Sequence, residues 1–127
     1  MDEITKRRIV NALRQVSRWA PNKSEARRRA STKLQVGLTK KNKPKYRVFF
    51  KCAECKGLFS GKEINVDHKH PAVDPKQGFV DWNTYISRLF CDYKDLQVLC
   101  IEHHDIKTKS ENLIRQEMRK LRKIKKK

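Results

Sequence analysis

The chain has 127 residues, enough for one small domain, and at 37% hydrophobic residues it can build one modest core. Its formal charge of +18, from 32 Lys and Arg against 14 Asp and Glu, points to a polyanionic partner, with DNA or RNA first. No apolar run reaches the roughly 20 residues that cross a bilayer, and nothing resembles a secretion signal, so a membrane protein is excluded and a soluble, cytosolic one is expected.

The charge is unevenly spread. Residues 1–47 hold 15 Lys/Arg and 3 Asp/Glu, residues 48–106 hold 7 and 9, and residues 107–127 hold 10 and 2. A slightly acidic centre therefore lies between two strongly basic flanks. The plain reading of such flanks is two solvated tails; their size favours nucleic-acid binding.

In chain order, Asp2 and Glu3 precede Ile9, Val10, Leu13, Val16 and Ala20 at helical spacing, which predicts an amphipathic helix ending near Trp19, before Pro21. Its acidic start suits the helix dipole, and its other face carries Arg7, Arg8, Arg14 and Arg18. Ser24 and Glu25 suit the start of a second helix running to about Leu34, bearing Arg27, Arg28 and Arg29, with Gly37 beyond it. Together they read as a DNA-gripping arm over residues 1–45, closed by a lysine-rich loop at 39–45; the bland alternative is that their apolar stripe packs on the domain. Residues 46–127 form the second part. Tyr46–Phe50 reads as a strand delivering Cys52, and Glu63–Asp67 as another. Pro71 to Gly78 is a loop. Trp82, Tyr85, Ile86, Leu89 and Phe90 share one helical face, and Asn83 sits where a helix N-cap would. Leu96–Leu99 delivers Cys100, and a helix follows. Thr108-Lys-Ser-Glu111 has the form of a capping box that would start a fresh final helix, striped by Ile114, Met118, Leu121 and Ile124, its lysine-rich end to 127 fraying.

The chemistry lies in the centre. Cys52-Ala-Glu-Cys55 and Cys100-Ile-Glu-His103 are two ligand pairs at knuckle spacing, and four such ligands converge on one tetrahedral zinc. Two disulfides are the competing use of four cysteines, and the cytosolic setting disfavours them. Cys91 reads as a buried core thiol; substituting it for His103 would match no knuckle spacing. His104 follows His103 directly and so points elsewhere, toward the strand end carrying Asp67 and His68. A carboxylate and an imidazole with open positions suit one hydrolytic divalent cation, and a neighbouring neutral histidine suits deprotonation of water. Any one of these histidines alone is more commonly a satisfied surface group; His70, just beyond, reads as a local hydrogen bonder.

Taken in order, Cys-x-x-Cys, Val66-Asp67-His68-Lys69-His70-Pro71 and Leu96-Gln97-Val98-Leu99-Cys100-x-x-His103-His104-x-x-Lys107-Thr108 resemble the HNH endonucleases, in particular the small zinc-knuckle forms of bacteriophages, across about residues 46–111. The resemblance implies an α+β fold: a ββα-metal core with structural zinc, between the basic helical arm and a basic C-terminal helix, its metal site against the DNA backbone in the minor groove. It implies a metal-dependent DNA endonuclease. His68 would be the general base; Asp67 and His104 would hold the catalytic ion, Mg2+ or Mn2+, with Ni2+ or Zn2+ as alternatives; Cys52, Cys55, Cys100 and His103 would hold zinc; and Lys107 would approach a phosphate. Asp95 stands where the family has its middle asparagine, and would orient His68 through its carboxylate or join the metal shell. The family's fourth zinc ligand is usually cysteine; here it is His103. A monomer acting on DNA, alone or with phage packaging proteins, is the partnership implied. The rivals are a non-catalytic zinc module that binds nucleic acid, and an accessory protein whose basic flanks grip an acidic partner.

Overall fold

The computed structural model describes residues 1–125 as a mixed α+β fold. Helix α1 (Glu3–Ser17) starts on Asp2, whose carboxylate accepts from the Thr5 N–H at 2.7 Å. Helix α2 (Pro21–Arg29) starts on Pro21, where a missing N–H costs nothing and a fixed φ suits the first turn.

The chain then turns directly into a hairpin of β1 (Ser31–Leu38) and β2 (Pro44–Lys51), paired antiparallel from Ser31↔Phe50 to Leu38↔Pro44. The expected extension of the second helix to Leu34 is therefore corrected. Thr32, Leu34 and Val36 alternate with polar residues, a strand pattern, and Lys51 N–H donates to Ala30 O at 3.0 Å, fixing the turn out of the helix. The expected loop at 39–45 is mostly the hairpin turn, and the division at residue 45 falls inside β2. Both helices also pack on the body: Asn22 Nδ2 donates to Cys91 O at 2.9 Å, Ala26 is buried, and the Val10 carbonyl lies 3.5 Å from the Tyr85 hydroxyl.

A short strand β3 (Leu58–Phe59) pairs with Phe50 and Lys51. Strands β4 (Ile64–His68) and β5 (Leu96–Cys100) form a separate antiparallel pair, Ile64↔Cys100 through His68↔Leu96. Between them lies α3 (Trp82–Leu89), capped by Asp81 rather than Asn83; the Asp81 carboxylate accepts from Thr84 N–H at 2.7 Å. Tyr85 and Leu89 of α3 are buried, while Ile86 and Phe90 are partly exposed.

Helix α4 (Ile101–Lys125) follows β5 without a break. The fresh start expected at Thr108 does not occur. Glu111 does not reach back to cap a turn; its carboxylate pairs with Lys107 at 2.9 Å and Arg115 at 3.8 Å, one helical turn to either side. Of the expected stripe, Ile114 and Met118 are half-buried, whereas Leu121 and Ile124 are exposed. Lysines 126 and 127, expected to fray, lie outside the described residues. The core is small: Phe50, Ile64 and Val98 pack with Ala30, Phe59 and Val66, and a second cluster joins Cys52, Leu99 and Cys100. It lies where β2 and β3 meet β4 and β5, beside the turn at Ala30.

Candidate metal centre and acid–base cavity

The end of β2 turns sharply after Cys52. Cys52 N–H donates to Gly57 O at 2.9 Å, Lys56 N–H donates to Cys52 O at 3.0 Å, and Lys56 takes a left-handed φ of 62°. Ala53 N–H donates to Val98 O at 2.8 Å, tying this knuckle to β5. Cys100 ends β5 and His103 lies in the first turn of α4. The four donor atoms of Cys52, Cys55, Cys100 and His103 lie within 4.8 Å of one another, and Cys100 Sγ is 3.1 Å from His103 Nδ1.

This set fits zinc. A tetrahedron with bonds of about 2.0–2.3 Å has edges of roughly 3.5–3.8 Å, close to the observed spacing. Burial pushes the Cys52 thiol up, but hydrogen bonds from the Cys100, Cys55 and Glu54 backbone and from the Cys55 side chain bring it down to about 6. Burial and the neighbouring Cys52 push Cys100 up. One thiolate is thus favoured before any metal arrives, and a cation would draw the others into the anionic form. Cys91 stands apart. It is half-exposed rather than core-buried, and burial, then Asp95 and Asp92, raises its thiol. All four cysteines are free thiols.

Asp67 and His68 end β4 and open onto one cavity of about 270 Å3. His68 N–H donates to Asp67 Oδ1 at 2.9 Å. Asp67 Oδ2 accepts from Lys107 Nζ at 2.7 Å, and the same ammonium reaches His68 O at 2.8 Å and Glu111 Oε1 at 2.9 Å. Burial lowers the Lys107 pKa, but bonds to Asp67 and Glu111 more than offset that, and the net shift is upward. His68 Nε2 lies 3.0 Å from Leu89 O. A carbonyl only accepts, so Nε2 carries a proton, which in the neutral ring leaves the lone pair on Nδ1.

Four cations line the cavity: Arg14 from α1, Arg18 at that helix's C-cap, Lys23 from α2 and Arg115 from α4. Burial lowers the Lys23 pKa, with Asp67 opposing. A phosphate entering here would meet these four cations, with two carboxylates, Asp67 and Glu111, and the His68 imidazole also on the wall.

The remaining expected residues fall elsewhere. Asp95 is not the acceptor at His68 Nε2; the Leu89 carbonyl takes that place. The Asp95 backbone O accepts from Lys69 N–H at 2.9 Å, and its side chain lines a different cavity with His70 and Cys91. His104 lies on α4 one turn before Lys107, but it does not line the Asp67–His68 cavity; its Nδ1 is 4.0 Å from Asp105 Oδ1. Among the described residues the Cys3His set is the only group of three or more such donors drawn together, so Asp67 and His104 belong to no second one. Arg28 and Arg29 are held by Glu25 at 2.7 and 2.8 Å, and Arg27 stacks 4.5 Å from the Phe50 ring. Arg7 and Arg8 are exposed on α1. Sequence reasoning took Glu111 for a cap and missed it as the carboxylate behind Lys107; the signal was its i+4 spacing from Lys107.

No helix among the described residues is long and apolar enough to cross a membrane. Comparison of the chain with protein-family models, curated proteins and solved structures returns no match.

Proposed function

We propose that the chain is a metal-dependent DNA endonuclease of the HNH class. The observation that carries this reading is the cavity where Asp67 and His68 face four basic side chains, on a strand–strand–helix unit (β4, β5, α4) with a zinc-compatible set at its far end.

His68 takes the proton of the attacking water on Nδ1, while Leu89 O holds the ring through Nε2. Arg14, Arg18, Lys23 and Arg115 bind and orient the phosphodiester and offset its charge. Lys107 holds Asp67 through Oδ2; its ammonium is bound to Asp67, the His68 carbonyl and Glu111. The resemblance would put a divalent ion on Asp67 and His104, where it would polarise the phosphodiester and stabilise the leaving oxygen; here both Asp67 oxygens are held by the His68 N–H and Lys107, and His104 lies off the cavity. A zinc on the Cys3His set would be structural, joining the start of α4 to the β2–β3 knuckle.

The test is a supercoiled plasmid incubated with zinc-loaded protein and Mg2+, Mn2+, Ni2+ or added Zn2+. Open-circle product is expected, with linear product only if two copies act together. Intact plasmid under every ion would sink the reading.

One observation favours the rival non-catalytic zinc module: the ammonium of Lys107 already neutralises Asp67. On that reading Asp67 and Lys107 are structural, duplex DNA is bound, and no divalent ion produces cleavage.

A further inference from the structure

Between Ser31 and Lys51 the chain carries seven lysines and arginines and no acidic residue. Almost all of it is exposed. Strand β3 covers β2 only at Phe50 and Lys51, and among the described residues β1 has no second neighbouring strand, so most of the hairpin is a free two-stranded ribbon. Strands of eight residues make it about 25 Å long.

The tip is built rather than loose. Thr39 N–H donates to Lys43 O at 2.7 Å, Asn42 N–H to Thr39 O at 3.0 Å, and Lys43 N–H to the Thr39 hydroxyl at 3.2 Å. Asn42 takes the left-handed φ of 58° that the turn needs, a region asparagine tolerates well. This fixes Lys40, Lys41 and Lys43 at the end. Below them, a bulge between Gln35 and Gly37, with Gly37 at φ 153°, adds twist. Lys45 and Arg47 continue the charge down β2, and Lys33 does so on β1.

Apolar side chains stand among these cations. Leu38 is 61% exposed and Tyr46 57%. A lone two-stranded ribbon is marginal in water, and exposed apolar surface on one marks a contact face. A second copy of this ribbon is a poor occupant, since like charges would oppose edge-to-edge pairing. The major groove of DNA, about 12 Å wide, admits a two-stranded ribbon and lines it with phosphates.

We infer that the β1–β2 hairpin is a DNA-binding ribbon that enters the groove of a duplex, with Lys40, Lys41 and Lys43 on the phosphates and Tyr46 and Leu38 against sugars and base edges. The inference rests on the proposed function for its DNA partner. It places the main grip on a hairpin rather than on the arginines of α1 and α2.

Binding of the full, zinc-loaded chain to a 24-base-pair duplex, with no added divalent ion, tests it across a salt series. Each lysine that reaches a phosphate contributes about 0.9 to the slope of log affinity against log salt, so the triple variant K40Q/K41Q/K43Q should lose roughly 2 to 3 from that slope. Methylation of lysines in the wild-type chain, with and without duplex, gives a second readout that needs no variant; the three tip lysines should be protected. Wild-type binding with an unchanged slope in the variant and unprotected tip lysines overturns the hairpin inference and leaves the nuclease reading standing. Failure of the wild-type chain to bind the duplex removes both. Tighter binding to a single strand of the same length overturns the groove assignment.

Discussion

His68 is fixed from both ends: its backbone N–H donates to Asp67 and its Nε2 to Leu89 O. The imidazole thus presents Nδ1 without needing a carboxylate partner. His68→Asn should abolish cleavage while leaving duplex affinity within about twofold, because the basic side chains and not the imidazole bind phosphate; plasmid nicking and fluorescence anisotropy separate the two. Lys107 carries a different prediction. Its pKa is raised above the ordinary 10.5, so its ion pairs contribute fully below that value and are lost as pH rises through the folded-state pKa. Lys107→Met should therefore lower stability by roughly 2 kcal/mol across pH 6–9, as for a bond to charged partners, with the gap from wild type closing only above pH 10.5. Denaturant melts along a pH series would show it; a gap that closes near neutrality would mean the ion pairs are not formed.

At the scale of elements, the metal-ligand set joins two pieces distant in sequence, the β2–β3 knuckle and the start of α4. Structural zinc contributes about 10–16 kcal/mol in small finger peptides, comparable with the whole stability of a domain this size. Cys55→Ser should cut zinc content to well below one ion per chain and lower the melting temperature sharply, read by metal analysis and calorimetry; an unshifted melt with full zinc content would remove the structural role. The knuckle was legible in sequence because ligand spacing is local. So were β4, β5 and α3 as elements, although on the expected face of α3 only Tyr85 and Leu89 are fully buried. The β1–β2 hairpin was not, because Arg27-Arg28-Arg29 has high helix propensity up to the residue where the strand begins, and a lysine-rich turn reads as a linker. The continuous α4 was missed because Thr108 and Glu111 have cap-like identities, while Lys107 and Arg115, one turn away on each side, bind Glu111 instead. A long-range hydrogen bond, Lys51 N–H to Ala30 O, fixed the first case and has no sequence signature; in the second, i,i+4 ion pairs within the helix took Glu111 from the cap. At the site, Asp67 and His68 were legible as neighbours. The carbonyl of Leu89 as orienting group was not, since a backbone acceptor has no sequence signature.

For the whole molecule, the excess charge includes the cations of Arg14, Arg18, Lys23 and Arg115 at the cavity, the hairpin, the exposed Arg7 and Arg8 of α1, and the far end of α4 with Arg122, Lys123 and Lys125. A cavity that sets Asp67, Glu111 and the His68 imidazole among these cations makes chemical sense if the bound polyanion is also the substrate. Duplex binding should weaken steeply between 50 and 200 mM salt, by on the order of 10³ for six phosphate contacts, and anisotropy titrations would reveal a flat dependence if the charge only solvates the chain. The most direct test compares supercoiled plasmid treated with zinc-loaded wild-type protein and with His68→Ala, each with Mn2+ or Mg2+. Open-circle product from the wild type and none from the variant, with both still shifting the plasmid on a gel, is the expected result. Equal nicking by the two proteins, or none by either, would contradict His68 as the base of a nuclease.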